Sequence, residues 1–128
     1  MMKRVISTAE APAARGQYSQ GIAWGDLLFV SGQLPLEPSS GELVSIDLEA
    51  QIHQALRNLD AVLRAGGSDL ARVIKTTVYI TDIDHWPIVN RIYSEYFPGE
   101  PPARSVVPIK ELHYGALIEI EAIGEIAR

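Results

Sequence analysis

The feature that most constrains the fold is a pair of short segments, Leu27 to Val30 and Ile74 to Ile80. Apart from Lys75, their side chains are apolar, or Thr and Tyr, on both faces. The second belongs to the run Val73 to Ile80, which is rich in β-branched residues and too short between its turn signals for a helix, so it predicts a strand. A strand with apolar side chains on both faces has to be covered on both faces. The fold must therefore bury both sides of a sheet.

A first helix is predicted from apolar residues that recur at spacings of three and four. Either Ser45 or Asp47 can cap its start, and Gly66-Gly67 ends it. Its apolar stripe consists of Leu48, Ile52, Leu56, Leu59, Val62 and Leu63.

A second helix is predicted after the Val73 to Ile80 strand. Asp84 is expected to be its N-cap, Pro87 lies in the first turn, and Pro98-Gly99 stops it. Its apolar side consists of Trp86, Val89, Ile92, Tyr93 and Tyr96.

The remaining strands complete a single domain over residues 1–128. The segments 20–26 and 27–32 predict a hairpin around a Gly-Asp turn, and two further strands are expected at 104–109 and 116–126. The order is strand, strand, helix, strand, helix, strand, strand. It predicts an α+β fold in which two helices pack on one face of a mixed β-sheet.

One layer of helices covers only one face of such a sheet. The other face must be buried against something else, and the most economical partner is a second copy of the same chain. The pattern therefore predicts an oligomer.

Composition and charge exclude several classes of function. The chain has no cysteine, which excludes disulfides, thiolate metal sites and a thiol nucleophile. Its net charge is −5 and its eleven basic residues are scattered, which disfavours nucleic acid as a partner. No apolar run approaches the roughly 20 residues that span a bilayer. We therefore expect a soluble, cytoplasmic protein that binds neither nucleic acid nor a membrane.

Metal and nucleotide chemistry also find no support in the sequence. His53, His85 and His113 have no ligand spacing, so no metal site is predicted. A nucleophile elbow, a phosphate-binding glycine loop and a dinucleotide fingerprint are all absent from the sequence.

The last predicted strand places Glu119, Glu121 and Glu125 together with Ile123 on one face. Carboxylates that share a strand face usually point into solvent. If an oligomer partly buries this face, however, desolvation would disfavour the charged form of one glutamate and equip it as an acid or base.

Two other positions have both an ordinary and a functional interpretation. Arg104, stiffened by Pro101-Pro102, forms a surface ion pair in the ordinary interpretation and a bidentate clamp for a substrate carboxylate in the functional one. Ser31-Gly32 ends a buried strand, where glycine either makes a plain turn or lets a ligand approach free backbone N–H groups.

Four motifs give the chain a specific resemblance that spans nearly its whole length. With Asn90 in the second helix, the chain resembles the RidA/YjgF family. The most specific elements are Pro-Ala-Arg-Ser and the glutamate strand fifteen residues further on. The motifs are Gly16-Gln17-Tyr18-Ser19-Gln20-Gly21, Val30-Ser31-Gly32-Gln33, Pro102-Ala103-Arg104-Ser105 and Ile118-Glu119-Ile120-Glu121-Ala122-Ile123.

The resemblance implies a chorismate-mutase-like fold and a homotrimer whose sheets pack into a central barrel. It also implies an enamine/imine deaminase that hydrolyses 2-aminoacrylate, 2-iminopropanoate or 2-iminobutanoate to a 2-keto acid and ammonia. No cofactor is expected.

The resemblance further assigns roles to single residues. Arg104 would hold the substrate carboxylate, and Glu119 would position or activate water. The substrate would also be bound by Tyr18, Ser31, Gly32 and Asn90, some of them from the neighbouring subunit, and by the position of Val106.

The chain departs from the family pattern at three places. Val106 stands where many members have cysteine; a backbone carbonyl there could still hold water, but a thiol role is excluded. His113-Tyr114 replaces a common Pro-Lys pair, and Gln17 replaces a common proline. The departures bear on substrate preference more than on the type of reaction.

Two alternatives to the deaminase follow from the same residues. One is a catalytically silent trimer that binds small carboxylates as a sensor or accessory factor. The other is a ribonuclease, an activity attached to some family members, against which the acidic charge argues.

Overall fold

The structure, a computed structural model, describes residues 2–128 and contains one mixed sheet with two α-helices. The sheet order is β1-β2-β3-β6-β4-β5, and β4 and β5 run parallel whereas the other neighbours are antiparallel. In chain order the elements are β1 (Arg4–Ile6), β2 (Gly21–Trp24), β3 (Leu27–Gln33), α1 (Leu48–Ala65), β4 (Val73–Ile80), α2 (Trp86–Tyr96), β5 (Ala103–Pro108) and β6 (Ile118–Glu125).

Both helices pack on the same face of this sheet, so the predicted α+β fold is confirmed. Five of the six residues in the predicted α1 stripe are buried and Leu48 is half-buried. They meet alternate side chains of the central strands, each of which contributes roughly 1.5–3 kcal/mol when fully buried. These strand residues are Leu28, Val30, Val78, Ile80, Ile118 and Ile120.

The helix starts differ in how well the sequence predicted them. Of the two candidate caps for α1, Asp47 is the cap, because its carboxylate accepts a hydrogen bond from the Ala50 N–H at 2.9 Å. The expectation that Asp84 caps α2 was wrong. Asp82 instead accepts from the Asp84 N–H in a short 3₁₀ turn, and α2 begins at Trp86 without a side-chain cap.

The sequence analysis also missed one strand. β1 has three residues, Arg4 and Val5 are exposed, and only Ile6 is buried, so it shows no usable alternation. It is a strand because it pairs with β2, from Arg4 opposite Ala23 to Ile6 opposite Gly21. The chain therefore begins with three strands rather than two.

The sheet face opposite the helices carries an apolar row. Ile22, Phe29 and Ile123 pair in register across β2, β3 and β6, and Phe29 is 41% exposed. No element within residues 2–128 covers this face, as the two-sided strands predicted. No described helix is both long enough and apolar enough to cross a membrane; the cytoplasmic location and the trimer stay predictions.

Asn58 of helix α1 hydrogen-bonds to the segment that follows β3, at Leu34 and Leu36. Its side-chain amide is 1% exposed and donates to the carbonyls of Leu34 (3.0 Å) and Leu36 (2.9 Å). This segment begins two residues after Gly32, so Asn58 helps to fix the strand end on which the candidate site is built.

We predict that Asn58→Ala lowers the free energy of unfolding by about 2–3 kcal/mol, because one buried and one part-buried carbonyl lose their donor. Urea denaturation at a fixed protein concentration measures it. The matched control is Arg57→Ala, whose side chain is exposed on the same helix. Equal stability of the two variants would contradict this role for Asn58.

Candidate functional site

Four of the predicted site residues lie together on the uncovered face of the sheet. β6 turns Ile118 and Ile120 into the core and Glu119 to the other face, where it is half-buried. An open cavity of about 390 Å³ lies beside it, within the size range of small-ligand sites. Its lining residues are Tyr18, Ser31, Gly32, Leu34, His113, Glu119 and Glu121. We call this cavity the glutamate half-site.

The Glu119 carboxyl has an unusual electrostatic environment. Burial raises its pKa, the negative charge of Glu121 raises it further, and His113 opposes both effects. Such a carboxyl holds a proton more readily than an exposed one, which suits a group that must take a proton from water and deliver it again.

Gly32 lets the Glu119 carboxyl lie against the backbone of β3. A Cβ atom added at position 32 would stand 2.8 Å from Glu119 Cδ, closer than real Cβ atoms come to such an atom. The β3–β6 register is irregular between Val30 and Gln33, which brings Gly32 to this point. β3 thus continues past Ser31-Gly32, where the sequence analysis ended it.

Ser31 holds the neighbouring loop rather than offering free groups to a ligand. Its hydroxyl donates to the Ser19 carbonyl at 2.6 Å, and its backbone N–H donates to the Gln20 carbonyl at 2.9 Å. Of the two interpretations of Ser31-Gly32, the one with free backbone N–H groups therefore does not hold for Ser31. The two bonds fix the segment that carries Tyr18 into the cavity.

Two of the other predicted residues, Arg104 and Asn90, form a second group. Arg104 Nη1 donates to Asn90 Oδ1 at 3.1 Å. The guanidinium carbon lies 4.5 Å from the ring centre of Trp86 and 4.8 Å from that of Tyr93. These contacts hold the guanidinium over two rings and leave its other N–H groups for a ligand. A cavity of about 380 Å³ borders this arginine half-site.

Arg104 is not a surface ion pair in this structure. Among residues 2–128 no carboxylate lies within 4.0 Å of its guanidinium nitrogens. The ordinary interpretation of this residue is therefore not supported.

The two half-sites lie on opposite faces of the sheet. In β5, Arg104 pairs with Thr76, whose hydroxyl hydrogen-bonds to Tyr93 of α2 at 2.8 Å on the helix-covered side. In β6, Glu119 pairs with Tyr79 on the uncovered side. One chain therefore does not bring Arg104 and Glu119 together, and a site that uses both needs a second copy.

The positions that depart from the family pattern lie in different surroundings. His113 lines the glutamate half-site, and Tyr114, in a left-handed conformation (φ 63°), lines an adjoining cavity with Tyr18. Gln17 is exposed and lines neither. Val106 is half-buried against the core, two residues beyond Arg104. Residues 2–128 contain no His, Asp and Glu cluster that could hold a metal.

Sequence reasoning missed two kinds of site residue. Trp86 and Tyr93 were assigned only to the helix core, although their spacing from Asn90 places all three on one stripe of α2 and could have indicated a shared role. Tyr79, whose hydroxyl donates to Glu121 Oε1 at 2.8 Å, depends on the pairing of β4 with β6, which the sequence does not specify.

Comparison with known proteins places the chain in a family. The family model described as endoribonuclease L-PSP matches residues 8–126. The chain belongs to this family. The RidA/YjgF resemblance is thereby confirmed, since a relative from this group has nearly the same structure: RidA from the Antarctic bacterium Psychrobacter superposes with a TM-score of 0.93 at 35% identity, covering 96% of this chain and 99% of that one.

Two relatives in sequence are more similar still. A protein of Sinorhizobium fredii named RutC family protein y4sK is 49% identical over 118 residues, 92% of this chain and 94% of the relative. The human protein named 2-iminobutanoate/2-iminopropanoate deaminase is 44% identical over 124 residues, 97% of this chain and 90% of the relative.

We predict that Gly32→Ala leaves the fold intact but pushes the Glu119 carboxyl away from β3, because the new methyl group would clash with the end of a flexible side chain rather than with backbone. A crystal structure of the variant measures the displacement. Gly99→Ala is the control, since nothing lies within 4 Å of a Cβ there. An unmoved Glu119 would contradict the close approach.

Proposed function

We propose that this protein is a hydrolytic deaminase of reactive enamine and imine intermediates such as 2-aminoacrylate, 2-iminopropanoate and 2-iminobutanoate. The observation that carries the proposal is the presence of two incomplete half-sites: a carboxyl with a raised pKa on one face of the sheet and an arginine without a carboxylate partner within residues 2–128 on the other. The human relative's name supports the substrate class.

Imine hydrolysis depends more on the positioning of the substrate and water than on a strong acid or base. A 2-imino acid is a small planar anion with one electrophilic carbon. Glu119 accepts a proton from water as the water oxygen bonds to that carbon, and it then delivers the proton to the nitrogen. The result is a carbinolamine. Glu119 then takes the proton of the new hydroxyl and passes it to the nitrogen as the carbonyl forms and the carbon–nitrogen bond breaks, so that the products are ammonia and a 2-keto acid. The reaction needs no redox step, and we propose that it needs no cofactor.

Arg104 is the proposed clamp for the substrate carboxylate. Its contacts with the rings of Trp86 and Tyr93 and its hydrogen bond to Asn90 restrict the guanidinium, so that little side-chain entropy is lost on binding. Tyr18 and the backbone at Ser31 and Gly32 form the wall on the Glu119 side. Val106 supports the strand beneath Arg104, and its proposed contact with the water is through its backbone carbonyl.

A neighbouring subunit is the proposed source of the missing half of each site. The apolar row of Ile22, Phe29 and Ile123 supports self-association, because a soluble chain rarely leaves such a row open to water. Closed cyclic symmetry would give each copy one arginine half-site facing one glutamate half-site. We propose a homotrimer in the cytoplasm.

Ribonuclease activity is not proposed, although the family model is described by that name. The chain carries a net charge of −5, and both glutamates of the glutamate half-site would repel phosphates. A small monoanion held by one arginine fits the site better than a polyanion.

We predict that Arg104→Lys lowers kcat/KM for imine hydrolysis by about ten- to a hundredfold, because a stacked bidentate clamp becomes a point contact. Imines are generated in situ from several amino acids, and keto-acid and ammonia release are followed by a coupled assay. The larger share of the loss should lie in KM, since the carboxylate is bound before and during the reaction.

The matched control for that measurement is Arg57→Lys, an exposed position outside both half-sites. Wild-type turnover in Arg104→Lys would exclude the clamp. If wild type itself stays at the background rate while a 2-keto acid still binds by calorimetry, the deaminase proposal fails and a carboxylate-binding trimer replaces it.

A further inference from the structure

Tyr79 and Glu121 form a pair next to Glu119 that the proposed reaction does not yet use. The Tyr79 hydroxyl donates to Glu121 Oε1 at 2.8 Å. Tyr79 stands directly opposite Glu119 in the β4–β6 register, and Glu121 stands opposite Thr77, one step further along the same face. Tyr79 thus does not bind the residue directly opposite it, Glu119, but hydrogen-bonds diagonally across the two strands to Glu121.

The diagonal bond fixes where the second negative charge lies. A free glutamate on a strand would turn its carboxylate toward water and away from another carboxylate, since like charges repel. The hydrogen bond to Tyr79 opposes that rotation. Glu121 is therefore kept in the wall of the same cavity as Glu119.

Within one chain, few other charges act on this pair; in the proposed trimer, Arg104 of the partner subunit would add a positive charge. On the uncovered face, Glu119 is approached by Glu121 from its own strand, by Tyr79 from β4, by Tyr18 from the loop before β2 and by His113 from the turn before β6. β3 contributes Ser31 and Gly32, which are uncharged.

The one lysine of β4 lies further along the sheet. Lys75 pairs with Ile123 and makes no salt bridge within residues 2–128. Glu121 is thus the main charge that acts on Glu119 in the chain, and His113 is the group that opposes it.

We propose that Tyr79 and Glu121 are positioning residues for the proposed deaminase reaction: by holding a fixed negative charge beside Glu119, they make Glu119 keep the proton it takes from water until the nitrogen is ready to leave. The inference rests on the proposed function for its chemical meaning. Its physical part, the influence of the pair on Glu119, stands on the hydrogen bond and the register alone.

The direction of the effect on Glu119 follows from the sign of the charge. Glu121 raises the pKa of Glu119, so its removal should lower that pKa. A base must be deprotonated to act, so the acidic limb of the pH profile should move to lower pH in Glu121→Gln. Tyr79→Phe should move it in the same direction by less, because Glu121 keeps its charge but loses its anchor.

The test measures kcat/KM for imine hydrolysis against pH in the intact oligomer. We expect the acidic limb to shift to lower pH in Glu121→Gln, because a nearby like charge is removed, and to shift by less in Tyr79→Phe. The ionisation of the imine affects the pH profiles of wild type and variants equally, so the difference between the profiles reports on the enzyme. Glu125→Gln is the control for charge, because Glu125 lies on the same strand and pairs with Arg72, and Tyr96→Phe is the control for a lost hydroxyl.

A second readout separates this inference from the deaminase proposal. NMR titration of the Glu119 carboxyl carbon in ligand-free protein follows its ionisation whether or not the protein is active. If wild type hydrolyses imines but neither the pH profile nor the titration moves in the two variants, the positioning pair is excluded and the deaminase stands. If hydrolysis is absent but the titration moves, the electrostatic coupling stands and the catalytic role fails.

Discussion

The pairing of β6 between β3 and β4 is the constraint on which the rest of the structure depends. It places the last strand of the chain at the centre of the sheet, against one strand from the beginning of the chain and one from the middle. Glu119 thereby meets Gly32 on one side and Tyr79 on the other. Side chains alternate strictly along the eight residues of β6. Ile118 and Ile120 therefore pack into the core, and the glutamates lie on the opposite face.

The strand pairing that builds the site also divides it. β5 lies beyond β4 and runs parallel to it, with α2 as the crossover between them. Arg104 pairs with Thr76 and therefore lies on the side that α2 covers. Its aromatic and amide neighbours all belong to that helix. The side-chain period of two that puts Thr76 under the helix puts Tyr79 and its neighbour Glu119 on the other face. The separation of the two half-sites is thus a property of the sheet rather than of side-chain rotamers.

Local patterns predicted most of the fold, and long-range pairing accounts for what they missed. The stripe from Ile52 to Leu63 and the β-branched run at Val73 to Ile80 each specify an element within a few residues, because burial of one face imposes a period. β1 has one buried residue and becomes a strand only through β2. Asp47 was one of two predicted caps for α1. The start of α2 was predicted wrongly, because the Asp82 side chain accepts from the Asp84 N–H in a separate short turn before the helix.

The site could be predicted residue by residue but not as an arrangement. Arg104, Glu119 and their companions were found through the family's motifs, which record residue types in order and say nothing of sheet faces. Tyr79 and Trp86 lie outside those motifs, so only the geometry identifies them. A departure such as His113 was visible in the sequence, but its place in the wall beside Glu119 was not.

The most direct test of the account mixes two inactive variants, Arg104→Ala and Glu119→Ala, by joint unfolding and reassembly. If each site takes its arginine from one copy and its glutamate from the next, random mixing of equal amounts should restore about one quarter of wild-type imine hydrolysis, while neither variant reassembled alone gains any. No recovery in mixed oligomers that have demonstrably exchanged subunits would contradict the claim that the active site is completed between copies.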